Sequence, residues 1–318
     1  MGVFNFLLVF CRLREYNGLM ENQDLLNIAE IAAKWGVSVR SARNYCASGR
    51  VAGAINRGGV WYVPADAEKP LRSNYKKKRD LLSVLRFEDA HSIAGGIYHK
   101  VQIELTYNSN HIEGSRLSHD QTRYIFETNT VGLEHKFAGV RADDVVETAN
   151  HFRCIDFIIE NANRKITENM IKKLHFILKN GTSDSRLDWF AVGEYKKMPN
   201  EVGGQMTTAP EDVAREMARL LKKYRRRKVL ELDDLLAFHH DFESIHPFQD
   251  GNGRVGRLIL FKECLRLNIV PFIIDDEHKM FYYRGLREWK NTPGYLRDTC
   301  LAMQDQFKQY LDYFKIEY

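Results

Sequence analysis

Paired cysteines are missing from this sequence. Its five cysteines, Cys11, Cys46, Cys154, Cys264 and Cys300, are scattered and odd in number, with no Cys-x-x-Cys pair. Such a set argues against a disulfide framework and fits a reducing, cytoplasmic compartment. Long apolar runs are missing too. Val3 to Phe10 is too short to cross a bilayer, no basic residue precedes it and no small-residue cleavage site follows it, so neither a membrane span nor a secretory signal is expected. No internal repeat of 20–50 residues is visible. Most of the chain also lacks a surplus of either charge. Residues 21–80 hold 11 Lys/Arg against 6 Asp/Glu, and the remainder holds 36 of each sign. The local basic excess suits an anionic partner such as nucleic acid. It equally suits a solvated linker, because Lys76, Lys77, Lys78 and Arg79 supply most of it.

What is present is a chain of 318 residues, 44% hydrophobic and 28% charged, which is ordinary for a globular protein with more than one domain. Met20 opens a polar stretch before a well-patterned helix, so residues 1–19 read as a tail that is not native, with translation starting at Met20. A first domain is expected over 20–65, a polar linker with Pro70 over 66–80, and a helical domain over 81–318.

Leu25 to Trp35 reads as an amphipathic helix ended by Gly36, and Ser38 can cap a second helix reaching about Ser48. Two strand-like runs follow, Val51 to Ile55 and Val60 to Val63, around Asn56-Arg57-Gly58-Gly59. Arg40, Arg43 and Asn44 on the second helix, with Arg57 at the hairpin tip, are donors suited to phosphates and base edges. From Leu81 helical periodicity dominates, with candidate helices at 81–94, 96–112, 118–128, 141–162, 167–179, 210–226, 232–245, 254–267, 277–289 and 293–314. The one interruption is 193–208, rich in Gly, Lys, Asn and Thr, which reads as a short hairpin or loop.

The chemistry concentrates in His246-Pro247-Phe248-Gln249-Asp250-Gly251-Asn252-Gly253-Arg254-Val255-Gly256-Arg257. Pro247 disfavours a helix continuing through His246, so the imidazole should stand at a helix end. Gly251 and Gly253 permit positive φ and close backbone approach, and a helix beginning near Gly253 turns free N–H groups into the loop. Arg254 and Arg257, three apart, share a face at that end and suit a polyphosphate better than a lone carboxylate. Asp250 offers a hard oxygen to Mg²⁺ bound together with phosphates. His246 is the residue poised to take a proton near neutral pH. Together they point to phosphoryl-type chemistry by electrostatic positioning.

This stretch resembles the signature of the Fic family, HPFx(D/E)GNGRxxR, at every specified position, and weaker similarity extends over roughly 95–290. The resemblance implies a mainly α fold: a Fic-fold helical bundle with a small β-hairpin flap, here preceded by a segment, Ile28 to Pro64, that resembles the winged helix-turn-helix of the MerR and excisionase type. It implies transfer of AMP from ATP to a Ser, Thr or Tyr hydroxyl of a protein, or of the chain itself, with His246 as general base. Asp250 would hold Mg²⁺, Gly251, Asn252 and Gly253 would cradle phosphate oxygens, Arg254 would take the β/γ-phosphates and Arg257 the γ-phosphate. Residues 199–208 would form the flap that docks the target by strand pairing, and Tyr282 and Asn291 would lie near the adenine. Doc relatives that transfer phosphate carry Lys where this chain has Gly253, so Gly-Asn-Gly favours the nucleotidyl reading; UMP and GMP remain open as cargo.

Ser109-Asn110-His111-Ile112-Glu113-Gly114 resembles the inhibitory motif (S/T)xxxE(G/N) of many Fic proteins. A helix ending at Gly114 would bring Glu113 onto Arg257 as a bidentate pair, occupying the γ-phosphate's guanidinium. Some braked relatives use this Glu to remove AMP again. A homo-oligomer is compatible with the resemblance. His239, His240 and His246 lack the His-Glu-x-x-His arrangement of a metal hydrolase, so His239 and His240 are expected to pack. Lys222 to Lys228 reads as the solvated cationic end of a helix. The rival reading is a transcription regulator in which residues 28–64 bind DNA and the larger domain senses ATP or modifies the smaller one.

Overall fold

A computed structural model describes residues 25–70, 80–130, 139–227 and 229–318. The expected tail 1–19, Lys76 to Arg79 of the linker, and Lys228 lie outside the described residues. The chain divides into two compact units, Met1–Lys77 and Lys78–Tyr318.

In the small unit, strand β1 (Leu25–Asn27) leads into α1 (Ile28–Trp35) and α2 (Val39–Ala47), followed by β2 (Ile55–Arg57) and β3 (Val60–Pro64). The strands form an antiparallel sheet in the order β1-β3-β2, with Leu26 opposite Val63 and Asn56 opposite Trp61. Leu25 to Asn27 is therefore strand, where the apolar pattern predicts the start of a helix. Asn27 is the reason: its side chain accepts from the Ala29 and Glu30 N–H groups while Glu30 accepts from the Asn27 N–H, a capping box that starts α1 at Ile28. Gly36, at φ 64°, ends α1, and Ser38 caps α2. The strand expected at Val51 to Ile55 begins only at Ile55; Val51 faces the core from the preceding turn. Ile31, Ala42 and Val63 are fully enclosed around Trp35.

The large unit is helical: α3 (Leu81–Ala90), α4 (Ile97–Ile112), α5 (His119–Thr128), α6 (Ala142–Glu160), α7 (Glu168–Lys179), α8 (Pro210–Arg225), α9 (Leu232–Ile245), α10 (Asn252–Leu267), α11 (Lys279–Arg287) and α12 (Gly294–Tyr313). A two-residue hairpin, β4 (Glu201–Val202) and β5 (Gln205–Met206), turns at Gly203-Gly204 within the interruption at 193–208. Both glycines have positive φ, which the turn requires. Helix α10 is central. It is buried on all sides, from Asn252 through Leu265 with few gaps, and packs on α4, α6, α7 and α9. Its N-terminus is thereby fixed at the point where those helices present polar side chains. Arg225 ends α8 by donating to the Ile166 carbonyl, and Lys223 reaches Asp241, as suits a cationic helix end.

The crossing of α11 and α12 depends on Gly285. A Cβ there would stand 2.6 Å from Leu296 Cα and 2.7 Å from its nitrogen, both backbone atoms. Gly285→Ala is expected to force the helices apart and destabilise by about 1–3 kcal/mol despite the better helix propensity of alanine. A lowered denaturant midpoint with unchanged slope checks it.

Candidate functional site

His246 occupies the C-cap of α9 with φ 52° and ψ 62°, a left-handed conformation that turns the chain sharply toward Pro247. Its N–H still donates to the Phe242 carbonyl at 3.0 Å. Asn252 then closes the loop: its Oδ1 accepts from the Phe248 N–H at 2.8 Å and its Nδ2 donates back to the Phe248 carbonyl at 2.9 Å. Phe248 stacks on His175 at 4.0 Å and anchors the turn to α7. Gly251, at φ 78°, is the N-cap of α10 and supplies no side-chain cap, so the first N–H groups of α10 are left to whatever enters the loop. The helix begins at Asn252, two residues before the candidate helix 254–267 set by periodicity.

A carboxylate already stands at this end. Glu113, at the C-cap of α4, accepts from Arg257 Nη2 at 2.7 Å. Arg257 Nε donates to Ser109 Oγ at 3.0 Å, and Nη2 also reaches the Ser109 carbonyl at 2.9 Å. The expected bidentate pair is thus a single contact, because Ser109 takes the Nε donor. A Cβ at residue 253 would lie 2.2 Å from Glu113 Oε1, so this seat exists only because 253 is glycine. Burial pushes the Glu113 carboxyl upward, but Arg257 and Arg254 prevail and hold it below its usual range.

Beside this pair is a polar cavity of about 190 Å³. Buried Arg254 pairs with Glu147 through Nη1 and reaches Asp250 Oδ2 through Nη2 at 3.3 Å. Its buried Nε has no hydrogen-bond partner. Lys179 Nζ, also buried, collects three carboxylates: Glu147 at 2.5 Å, Asp250 Oδ2 at 2.7 Å and Asp184 at 3.2 Å. Arg254 and Lys179 hold the Asp250 carboxyl well below the usual range against the upward pull of burial. Both cations take Oδ2, and the side chain is half exposed toward the cavity, which leaves Oδ1 to serve a cation. Among the described residues no group of three or more His, Cys, Asp or Glu is arranged as a metal cage. One carboxylate oxygen on an open polar cavity fits Mg²⁺ that arrives with phosphates and keeps its waters.

The His246 imidazole is lowered to about 4, first by burial and then by the nearby Lys196 ammonium. Its buried Nδ1 has no hydrogen-bond partner. The ring is therefore a neutral base across the physiological range. Tyr282 is enclosed beneath Arg257, its hydroxyl paired with His239 Nε2 at 2.7 Å, so its ring offers no open face to a base. Asn291 lies exposed past α11 and donates to Glu288 at 3.4 Å within its own turn. His240 stacks on Trp289. In the small unit Arg40, Arg43, Asn44 and Arg57 are all exposed.

The sequence reading does not single out Glu147, Lys179, Lys196 or Glu243. One signal for Glu147 exists: Asp144, Glu147, Thr148 and His151 recur at helical spacing along α6 and form a buried polar stripe. Glu243 faces Gly256, where a Cβ would meet its Oε1 at 2.3 Å, and burial raises its carboxyl to about 8 despite Arg257.

Residues 165–263 match the model of the Fic/DOC family. The chain is 26% identical over 223 residues to a protein adenylyltransferase Fic of Drosophila mojavensis, which covers 68% of this chain and 41% of that protein. It is 27% identical over 217 residues to the protein of the same name in Culex quinquefasciatus, covering 66% and 41%. The chain thus spans about two-fifths of the length of the curated relatives it matches. Among solved structures it resembles a Fic domain containing signaling protein from Bacteroides thetaiotaomicron, with a TM-score of 0.54 and 25% identity over 73% of this chain and 90% of that one. It also resembles Fic-1 of C. elegans, residues 134–508, with a TM-score of 0.57 and 19% identity over 74% and 71%. These likenesses show a mainly helical Fic fold.

Four histidines, buried His151, His175 and His239 and half-buried His246, are held below their ordinary value: His246 at about 4, His175 and His239 at about 3, and His151 well below 6.5, each chiefly by desolvation. Between about pH 6.5 and 4 the unfolded chain binds these protons and the folded chain does not, so stability falls as pH falls. Glu243, raised to about 8, and Asp156, also raised, act in the opposite sense over part of that window. The four depressed imidazoles outnumber the two raised carboxyls, so a net proton uptake on unfolding remains, at about 1.4 kcal/mol per proton per pH unit. Urea midpoints should therefore fall steadily from pH 6.5 to 5; a flat profile would contradict the neutral, buried histidines.

Proposed function

We propose that the large unit transfers AMP from ATP to a hydroxyl side chain of a protein. The observation that carries this reading is the seat occupied by Glu113: a carboxylate lies on Arg257, against side-chain-free Gly253, at the open N-terminus of α10. A site that already holds one anion on a guanidinium, beside a helix end whose first N–H groups have no side-chain cap, is built for negative charge. The match of residues 165–263 to the Fic/DOC family, and the adenylyltransferase names of relatives at about 26% identity, support the choice of nucleotide chemistry.

In this reading His246, neutral and half-buried at the end of α9, removes the proton from the incoming hydroxyl, whose oxygen forms a bond to the α-phosphorus as the bond to pyrophosphate breaks. Gly251, Asn252 and Gly253 cradle the phosphate oxygens with backbone N–H groups. Arg254, which lines the polar cavity, takes the β/γ-phosphates. Arg257 takes the γ-phosphate once Glu113 leaves it. Asp250 Oδ1 would hold Mg²⁺, which supplies charge neutralisation on the phosphates. The hairpin Glu201–Met206 presents short edges, with exposed Val202 and Met206, against which an extended target segment can pair.

Glu113 acts as a brake. Its contact with Arg257 and Ser109 must be given up before a γ-phosphate can be held. A second reading, DNA contact through residues 28–64, draws on the exposure of Arg40, Arg43, Asn44 and Arg57.

With α-labelled ATP and Mg²⁺, Glu113→Gly should raise protein labelling by about tenfold or more, since a charge-assisted hydrogen bond contributes about 1.5–3 kcal/mol. His246→Ala in that background should abolish labelling while ATP binding persists. Label arriving from γ-labelled ATP instead would replace AMP transfer with phosphate transfer. A shift of DNA in a gel, lost in Arg43→Ala, tests the second reading.

A further inference from the structure

Lys196 stands apart from the other buried cations of the large unit. Lys179, Arg254, Arg257 and Lys262 each meet a carboxylate. Lys196 is 3% exposed and donates to neutral oxygens: Asn200 Oδ1 at 2.7 Å and Thr207 Oγ1 at 2.6 Å. Among the described residues no carboxylate comes within ion-pair reach of it. A buried ammonium without a counter-charge is costly, and a neutral side chain could make the same two hydrogen bonds. The charge itself is therefore the feature to explain.

Its surroundings suggest what the charge does. The segment entering the hairpin is bonded along the turn that carries His246. The Lys196 N–H donates to the Pro247 carbonyl at 2.9 Å, the Met198 N–H to Gln249 Oε1 at 3.2 Å, and Asn200 Nδ2 to the Phe248 carbonyl at 3.0 Å. On the far side of the hairpin, Thr207 Oγ1 donates to the Asn200 carbonyl at 2.9 Å. The ammonium bonds both feet of the hairpin, Asn200 and Thr207, from a residue whose own backbone is tied to the residue after His246.

We propose that Lys196 is a positioning residue, clamping both feet of the hairpin to the turn of His246 and setting one uncompensated positive charge beside the imidazole. The proposal rests on His246 being the base. Four influences meet at that ring: burial and Lys196 disfavour its protonated form, while Glu113 and Asp250 favour it. Burial lowers Lys196 itself to about 8, so it still carries its charge at neutral pH. Docking of a target on the hairpin and readiness of the base are then served by one side chain.

The test reads His246 directly. In the full chain labelled with [¹³Cε1]histidine, the His246 signal is assigned by its loss in His246→Ala and followed from pH 8 downward until it has titrated. In the wild type it should remain at its neutral position to about pH 5 and titrate only below it. In Lys196→Met its titration midpoint should rise by roughly one unit, and Lys196→Arg should restore the wild-type curve. Should Lys196→Met not fold, Lys196→Gln carries the same measurement, because it can bond both oxygens without a charge. Asn200→Ala, which keeps the ammonium but cuts the tie to the Phe248 carbonyl, should leave the midpoint in place and weaken target labelling. Coincident midpoints in the wild type and the neutral variants overturn the role of Lys196 alone. Labelling that survives His246→Ala overturns the base.

Discussion

The Arg257 guanidinium is the point on which the large unit turns. It projects from α10, the most enclosed helix, and gathers Ser109 and Glu113 from the end of α4. Below it lie Tyr282 and Glu243, which contribute to its electrostatic surroundings. A guanidinium this deeply buried must be satisfied in every direction, or the fold loses several kcal/mol. Ser109 satisfies one side permanently through two bonds. Glu113 satisfies the other through one, and its side chain remains partly exposed. The geometry thus divides the guanidinium into a structural side and an exchangeable side. Only the second can be surrendered to a phosphate without unravelling α4 from α10.

Two glycines on α10 make that arrangement possible. Gly253 leaves room for Glu113, and Gly256, one turn on, leaves room for Glu243 and His239. Glycine within a helix is unfavourable by about 1 kcal/mol relative to alanine, so each position trades local stability for the approach of a side chain. The burial of α10 among α4, α6, α7 and α9 offsets this through tertiary packing.

Much of the large unit was legible in the sequence. Among the described residues of 81–318, ten α-helices lie where apolar periodicity sets them, within a few residues at each end, because most must bury one face against their neighbours. The loop from His246 to Arg257 was legible for a different reason: its shape is set largely by local backbone chemistry, Pro247 and Gly251 above all, with the Asn252–Phe248 bonds closing it. Legibility failed where an interaction is long-range and polar. Lys179 joins Glu147, Asp184 and Asp250 across three separate segments, and no local pattern announces a lysine that will be buried. The Glu113–Arg257 contact spans 144 residues and could be reached only by resemblance; its single rather than bidentate form follows from Ser109, whose competition is visible only in three dimensions. In the small unit the error at Leu25 to Asn27 is local. Leu25 and Leu26 serve a strand or a helix equally, and the Asn27 cap, boxed with Glu30, decides between them.

The strength of the Glu113 contact sets what can release it. One charge-assisted hydrogen bond to a partly exposed carboxylate falls in the range of about 1.5–3 kcal/mol, which would hold the released state to roughly 1–10% of molecules. In the proposed reaction that is tight enough to keep transfer low and loose enough for a modest stimulus to reverse. A partner, a second copy or a bound nucleotide needs only a few kcal/mol of differential affinity for the released form. Lys179 and Glu147 make the neighbouring half of the site different in kind. They hold Asp250 and Arg254 through several buried contacts at once, so that half remains assembled whether or not Glu113 is engaged. In the proposed reaction regulation therefore acts on the γ-phosphate end of the substrate, while the groups around Asp250 and His246 stay preorganised for catalysis.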